Sequence, residues 1–158
     1  MKLLIKQKVF SWSDSYNVYD EDGEIKYTVK AEVFSLTHKC HVYDRYGNEV
    51  GLVHQHLIAL MPTFDIEIGG RPCGTIHKKL SFLKPKYEIS YHGWTVQGDF
   101  LAWKYDVFDH GRVIMHIDKQ FFHWNDTYVI DIENPENELL GLMLVIAIDA
   151  ANCESNNN

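Results

Sequence analysis

Paired cysteines, alanine and long apolar runs are all scarce in this 158-residue chain. Cys40, Cys73 and Cys153 are an odd number at unrelated spacings with no CxxC pair, which excludes a disulfide framework and a zinc knuckle. A reducing cytoplasm suits them best. Alanine occurs six times, whereas Val, Ile, Thr, Tyr, Phe and Trp total 52 residues, so the balance favours strands over helices. The longest apolar run, Leu139 to Ile148, has ten residues, where a membrane-spanning helix needs about 20. The first, Leu3-Leu4-Ile5, is too short for the core of a signal peptide and predicts no export. Basic residues are outnumbered, 15 against 22 acids, and the resulting charge of −7 argues against general nucleic-acid binding, which depends on cations that neutralise phosphates. No GxSxG, HExxH, GxxxxGK[ST] or GxGxxG string occurs, so hydrolase elbow, zincin, P-loop and dinucleotide readings have no warrant.

What is present is enough for one domain, expected over residues 1–153, with a disordered polar tail at 154–158. Hydrophobic residues at 46% can fill a core. Up to about residue 132, alternating or β-branched stretches are punctuated every few residues by Gly, Asp or Asn. In Phe64-Asp65-Ile66-Glu67-Ile68 the apolar residues share one face and the acids the other, and Gly69-Gly70 supplies a turn. Twelve such stretches predict strands near residues 3–9, 16–20, 25–33, 41–45, 49–57, 64–69, 72–78, 87–91, 94–98, 102–108, 112–118 and 127–132. At Asn134-Pro135 the pattern becomes that of an N-cap followed by proline in the first helical turn, and Glu136 and Glu138 suit the positive end of a helix dipole. The body of this helix, over 136–151, is apolar on every side, so it must be surrounded. At 1.5 Å per residue it is roughly 24 Å long. That length fits the interior of a closed sheet of twelve strands, since eight strands only just fill with side chains. The expected fold is mainly β: a closed antiparallel barrel of about twelve strands around a buried C-terminal hydrophobic helix.

Several segments carry a resemblance that covers most of the chain. They are Gly47-Asn48-Glu49-Val50, Pro62-Thr63-Phe64-Asp65-Ile66, Lys84-Pro85-Lys86-Tyr87-Glu88-Ile89, Trp94-Thr95-Val96-Gln97-Gly98-Asp99-Phe100, Trp124-Asn125-Asp126-Thr127-Tyr128 and Ala147-Ile148-Asp149-Ala150. With these and its single apolar terminal helix, the chain resembles the LURP-one-related family of the tubby-like superfamily, which also contains the phospholipid scramblases. The resemblance implies a twelve-stranded barrel enclosing the helix. Superfamily members bind phosphoinositides or act at membranes, while the small single-domain members this chain looks like imply no catalytic residues.

Between His77 and Lys86 the chain holds Lys78, Lys79, Lys84 and Lys86 without an acid, interleaved with Leu80, Phe82 and Leu83. Lysines beside an exposed aromatic suit peripheral contact with anionic phospholipid, with Lys78, Lys79, Phe82, Lys84 and Lys86 as the ligand-binding patch. The plainer reading is a connection whose lysines keep a sheet edge soluble. Nine histidines would carry the formal charge from −7 to +2 if all were protonated. His54 and His56 share a strand face at a spacing that can chelate, but no third ligand is evident, and His38 and His41 point to opposite faces of a continuous strand. No metal or other cofactor is expected. Asp20-Glu21-Asp22-Gly23-Glu24 lacks the ligand pattern of a calcium loop and reads as a hairpin turn. Asn125-Asp126-Thr127 matches a glycosylation acceptor without a route to modification. Asp149, at the end of an apolar helix, reads as structural and near the barrel rim.

These features point first to a non-enzymatic binding or scaffold module, cytoplasmic and in peripheral contact with anionic phospholipid, with no nucleic-acid partner. A small-ligand carrier or enzyme using a pocket at the barrel mouth is the alternative, favoured by a cavity beside the helix and disfavoured by a filled lumen. A structural or regulatory protein partner is the third, and an exposed apolar patch would mark it.

Overall fold

The computed structural model describes residues 1–6, 15–32, 36–79, 86–122 and 125–153. Its strands are β1 (Lys2–Ile5), β2 (Tyr16–Tyr19), β3 (Ile25–Ala31), β4 (Lys39–Asp44), β5 (Glu49–Gln55), β6 (Thr63–Ile68), β7 (Arg71–Lys79), β8 (Lys86–Tyr91), β9 (Thr95–Asp99), β10 (Lys104–Asp109), β11 (Arg112–Phe122) and β12 (Asn125–Ile132). A 3-10 turn at Pro135–Asn137 leads into the helix α1 (Glu138–Cys153). The twelve expected strands are all present, with ends displaced by one to four residues. The fourth starts earlier, at Lys39, and the eleventh extends to Phe122. The expected extension of the first strand to residue 9 lies outside the described residues, as does the tail at 154–158.

The strands form one antiparallel sheet in the order β8-β7-β6-β5-β4-β3-β2-β1-β12-β11-β10-β9. Consecutive strands pair as hairpins, and β1 meets β12 through Leu3 opposite Ile130 and Ile5 opposite Tyr128. The sheet curls into a nearly closed barrel. Its two end strands, β8 and β9, are joined by a tight turn at His92-Gly93, yet no ladder links them among the described residues. α1 holds this seam instead. Tyr87 on β8 donates its hydroxyl to Asn152 Oδ1, and Asn152 Nδ2 donates to the carbonyl of Phe100 beyond β9 at 3.1 Å. The Tyr87 and Phe100 rings meet edge to face, 5.2 Å apart.

Alternation puts one side chain in two inside. Val18, Val29, Val42, Val53, Ile66 and Ile76 are fully buried around the lumen, whereas their neighbours face outward, as the two-residue period of a strand requires. α1 occupies the space they enclose, and from Gly141 to Asn152 every one of its residues is buried. Asn134 caps the 3-10 turn that leads into α1 by accepting from the Glu136 amide at 3.1 Å, and Pro135 takes the first position of that turn. Glu138, itself buried, is met by Lys26 Nζ at 2.5 Å and by the Tyr27 hydroxyl at 2.7 Å. Those two residues begin β3, so the helix is fixed to the wall where it enters. Near the same end the Tyr91 hydroxyl donates to the Leu140 carbonyl at 2.8 Å.

The fit is close enough that several glycine positions have no room for a methyl group, Gly51 and Gly74 among them. A Cβ on Gly51 would collide with the flexible end of Met143, and one on Gly74 with the Ser90 carbonyl and the Tyr91 backbone of the neighbouring strand. A methionine end can swing aside, whereas a paired strand cannot move without breaking its ladder. Gly74→Ala should therefore cost about 1–3 kcal/mol and Gly51→Ala less. Urea unfolding of the two variants checks the order.

Candidate functional site

Because every pairing is antiparallel, successive connections alternate between the two ends of the barrel, and the ends differ in kind. One end carries tight turns: Asp20–Glu24, Asp44–Asn48, Gly69-Gly70, His92-Gly93 and His110-Gly111, with the entry to α1 beside them. Asp20 Oδ1 accepts from the amides of Asp22 and Glu24 at 3.1 and 2.9 Å, so the acidic stretch there is a hairpin turn held by its own first residue. Asp44 does the same work in the next turn, accepting from the amides of Tyr46 and Asn48. These bonds hold the Asp44 carboxyl below the usual range, with the Asn48 side chain contributing most.

The opposite end carries the four longest connections, β1–β2, β3–β4, β5–β6 and β7–β8, with the shorter β9–β10 and β11–β12 connections and the exit of α1. The basic segment lies here. Lys78 and Lys79 close β7 and Lys86 opens β8. Lys79 is half exposed and pairs with Glu88 at 3.1 Å. Phe82 and Lys84 lie outside the described residues, and so does the side chain of Lys86. The structure therefore brings the ends of this segment to one rim without describing its middle.

Sequence reasoning passed over a second feature of this rim. The β5–β6 connection contains Leu57, Ile58 and Leu60, all exposed, and the β3–β4 connection next to it contains exposed Leu36. The signal was available as the run Leu57-Ile58-Ala59-Leu60-Met61, of which the expected fifth strand, 49–57, takes in only Leu57 and leaves the rest without a reading. That strand stops at Gln55.

His54 and His56 do share the outer face of the barrel, where carboxylates of β6 meet them. His54 Nε2 lies 3.1 Å from Glu67 and His56 Nε2 2.5 Å from Asp65, whose other oxygen accepts from Thr75 at 3.0 Å. His41 sits between Glu49 and Glu32, at 3.1 and 3.3 Å. Among the described residues no three His, Cys, Asp or Glu side chains are grouped to hold a metal ion. A groove of about 710 Å³ lies over β7 and β8 near the tight-turn end, lined by Cys73, Thr75, Ser90, His92 and Trp94 among others. Its two carboxylates, Asp65 and Glu88, are those already paired with His56 and Lys79.

Inside the barrel, a polar group surrounds the last turn of α1. Asp149 is enclosed in the lumen, with the Cys153 thiol 4.0 Å from Oδ2. Burial raises its carboxyl well above the usual carboxylate range. Burial and the nearby Asp149 push the Cys40 and Cys153 thiols up to about 12, and burial raises the Tyr16 and Tyr105 hydroxyls as well. At neutral pH these thiols are protonated and so poor nucleophiles. The cluster is a buried group of polar side chains gathered around the last turn of α1.

A twelve-stranded antiparallel barrel with a mainly apolar helix in its lumen is a tubby-like fold. The sequence model of the LURP-one-related family matches residues 1–149, and the chain belongs to that family. It is 32% identical over 149 residues to the uncharacterized protein YxjI of Bacillus subtilis (strain 168), a match covering 94% of this chain and 92% of that one. The X-ray structure of a protein from Arabidopsis thaliana superposes with a TM-score of 0.62 at 15% identity, over 94% of this chain and 91% of that chain, and supports the fold.

The state of Asp149 sets a pH dependence. Its folded pKa lies above the unfolded value, near 3.8, so above about pH 4 the unfolded chain binds fewer protons and stability falls as pH rises. Asp149→Asn removes that slope. Its melting temperature should exceed that of the wild type by more at pH 8 than at pH 5, and thermal scans across that range provide the check.

Proposed function

We propose that this protein is a non-enzymatic binding module that meets anionic phospholipid with the loop end of its barrel. One observation carries the reading: the barrel is polar along its axis. Acids concentrate in the tight turns at one end, in Asp20–Glu24, at Asp44 and at Asp109, and in Glu136 and Glu138 at the helix entry. At the other end the acid-free segment from His77 to Lys86 joins β7 to β8. A barrel so arranged turns its basic end toward a negative surface despite a net charge of −7. Each lysine near such a surface contributes about 1 kcal/mol, within a Debye length of about 8 Å at physiological salt. The filled lumen supports a binding role over a carrier role, because α1 occupies the space a ligand would need. A peripheral position on a cytoplasmic leaflet fits this reading, and no described helix is long and apolar enough to cross a membrane.

A second reading, a small-ligand site, rests on the outer groove over β7 and β8. Its tight-turn position separates the two readings, because a ligand there leaves the loop end free.

Sedimentation with vesicles of phosphatidylserine and phosphatidylcholine, against phosphatidylcholine alone, tests the proposal. The protein should pellet with the anionic vesicles only, less as salt rises, and less again when Lys78, Lys79, Lys84 and Lys86 are all changed to Gln. Equal binding to both vesicle types, or undiminished binding by the glutamine variant, would sink it.

A further inference from the structure

We infer that the β5–β6 loop is a membrane-inserting wedge, with Leu57, Ile58 and Leu60 entering the acyl boundary of a bilayer. This rests on the lipid reading above and adds to it the element that anchors the protein once charge has brought it to the surface. Leu57, Ile58 and Leu60 are 65%, 92% and 98% exposed, and Leu36 on the adjacent loop is 93% exposed. Five of the seven large exposed hydrophobic residues among those described lie at this one end, Leu101 of the β9–β10 connection being the fifth. A soluble surface scatters such residues singly, whereas a cluster marks a contact.

The loop is presented from a bonded base. The His56 amide donates to the Thr63 carbonyl at 2.9 Å, extending the hairpin one step past Gln55. On one side the Gln55 amide donates to the His38 carbonyl at 2.9 Å, and on the other the Lys78 amide donates to the Pro62 carbonyl at 3.0 Å. The apolar tip is therefore held between the Leu36 loop and the start of the basic segment.

Shape and charge select a bilayer over a protein partner. At the tip the side chains of Ile58 and Leu60 are exposed almost completely, which suits insertion into a fluid layer better than seating on a flat face. Residues 56–62 contain no acid, and neither do residues 77–86, whose start meets the loop where the Lys78 amide donates to the Pro62 carbonyl. The nearest acid along the chain, Asp65, lies back on β6 and is engaged by His56 and Thr75. Lysines at the level of the headgroups with aliphatic side chains beyond them are the two signals that a stable peripheral anchor combines.

The test uses the full chain and vesicles of phosphatidylserine and phosphatidylcholine. The combined variant Leu57→Ser, Ile58→Ser and Leu60→Ser should bind them about tenfold or more weakly, three aliphatic side chains no longer leaving water. Its melting temperature should not move, since the changed side chains are exposed. Separately, Ile58→Trp should show quenching by brominated acyl chains beyond that of the wild type. Wild-type binding with an unimpaired serine variant, or no added quenching at Trp introduced there, would overturn the wedge and spare the lysine-based reading. No binding by the wild type would overturn both. Concentration-dependent dimerisation abolished by the serine variant would overturn the wedge in favour of a second copy of the chain.

Discussion

The structure depends on the removal of one helix from water. α1 has no polar face, so it is stable only where apolar side chains meet it from all directions, and the barrel wall supplies them. Leu142, Leu144, Val145, Ile146 and Ile148 are buried, and at about 1.5–3 kcal/mol for each side chain this transfer is comparable with the whole net stability of a domain. Wall and helix are thus mutually required. Without the helix, twelve strands would enclose a void lined by valine and isoleucine, and without the wall the helix would seek another apolar surface.

The same constraint explains why polar groups in the lumen lie toward the helix ends. Glu138 at the entry is met by Lys26 and Tyr27, and Asn152 at the exit bridges Tyr87 to the Phe100 carbonyl. In each case a polar side chain of α1 answers a need of the wall: anchorage at the start of β3, and closure of the seam that β8 and β9 leave without a ladder. Asp149 is the exception. It lacks a cationic partner among its described contacts, so burial favours its neutral form, in keeping with the cost of an unpaired charge away from water.

Enclosing the helix also shapes what the protein can offer a partner. With the lumen filled, recognition falls to the outside of the barrel, and a meander of hairpins leaves two ends that can evolve separately. One is built of short turns, two of which tie Asp20 and Asp44 into local hydrogen bonds. The other holds the longest connections, whose exposed leucines and isoleucine contribute nothing to the core.

The sequence by itself determined the strands, the helix and the enclosure of one by the other. Alternation in Phe64-Asp65-Ile66-Glu67-Ile68 can be satisfied only by a sheet with one wet face, and the all-round apolarity of Leu139 to Ile148 only by burial. Asn134-Pro135 marked the helix start because capping is a local matter. Tertiary structure alone decided what depends on distant residues meeting. It paired His54 and His56 with the carboxylates of β6, left the seam to Tyr87 and Asn152, and enclosed Asp149, which from its place at the helix end reads as a rim residue. It also ended β5 at Gln55, so that Leu57, the last residue of the expected strand, joins Ile58 and Leu60 in the exposed tip of a loop. The physical reason is common to all four. A periodic pattern records which way a side chain faces along its own strand or helix, while its partners and its exposure are set by neighbours far away in the chain.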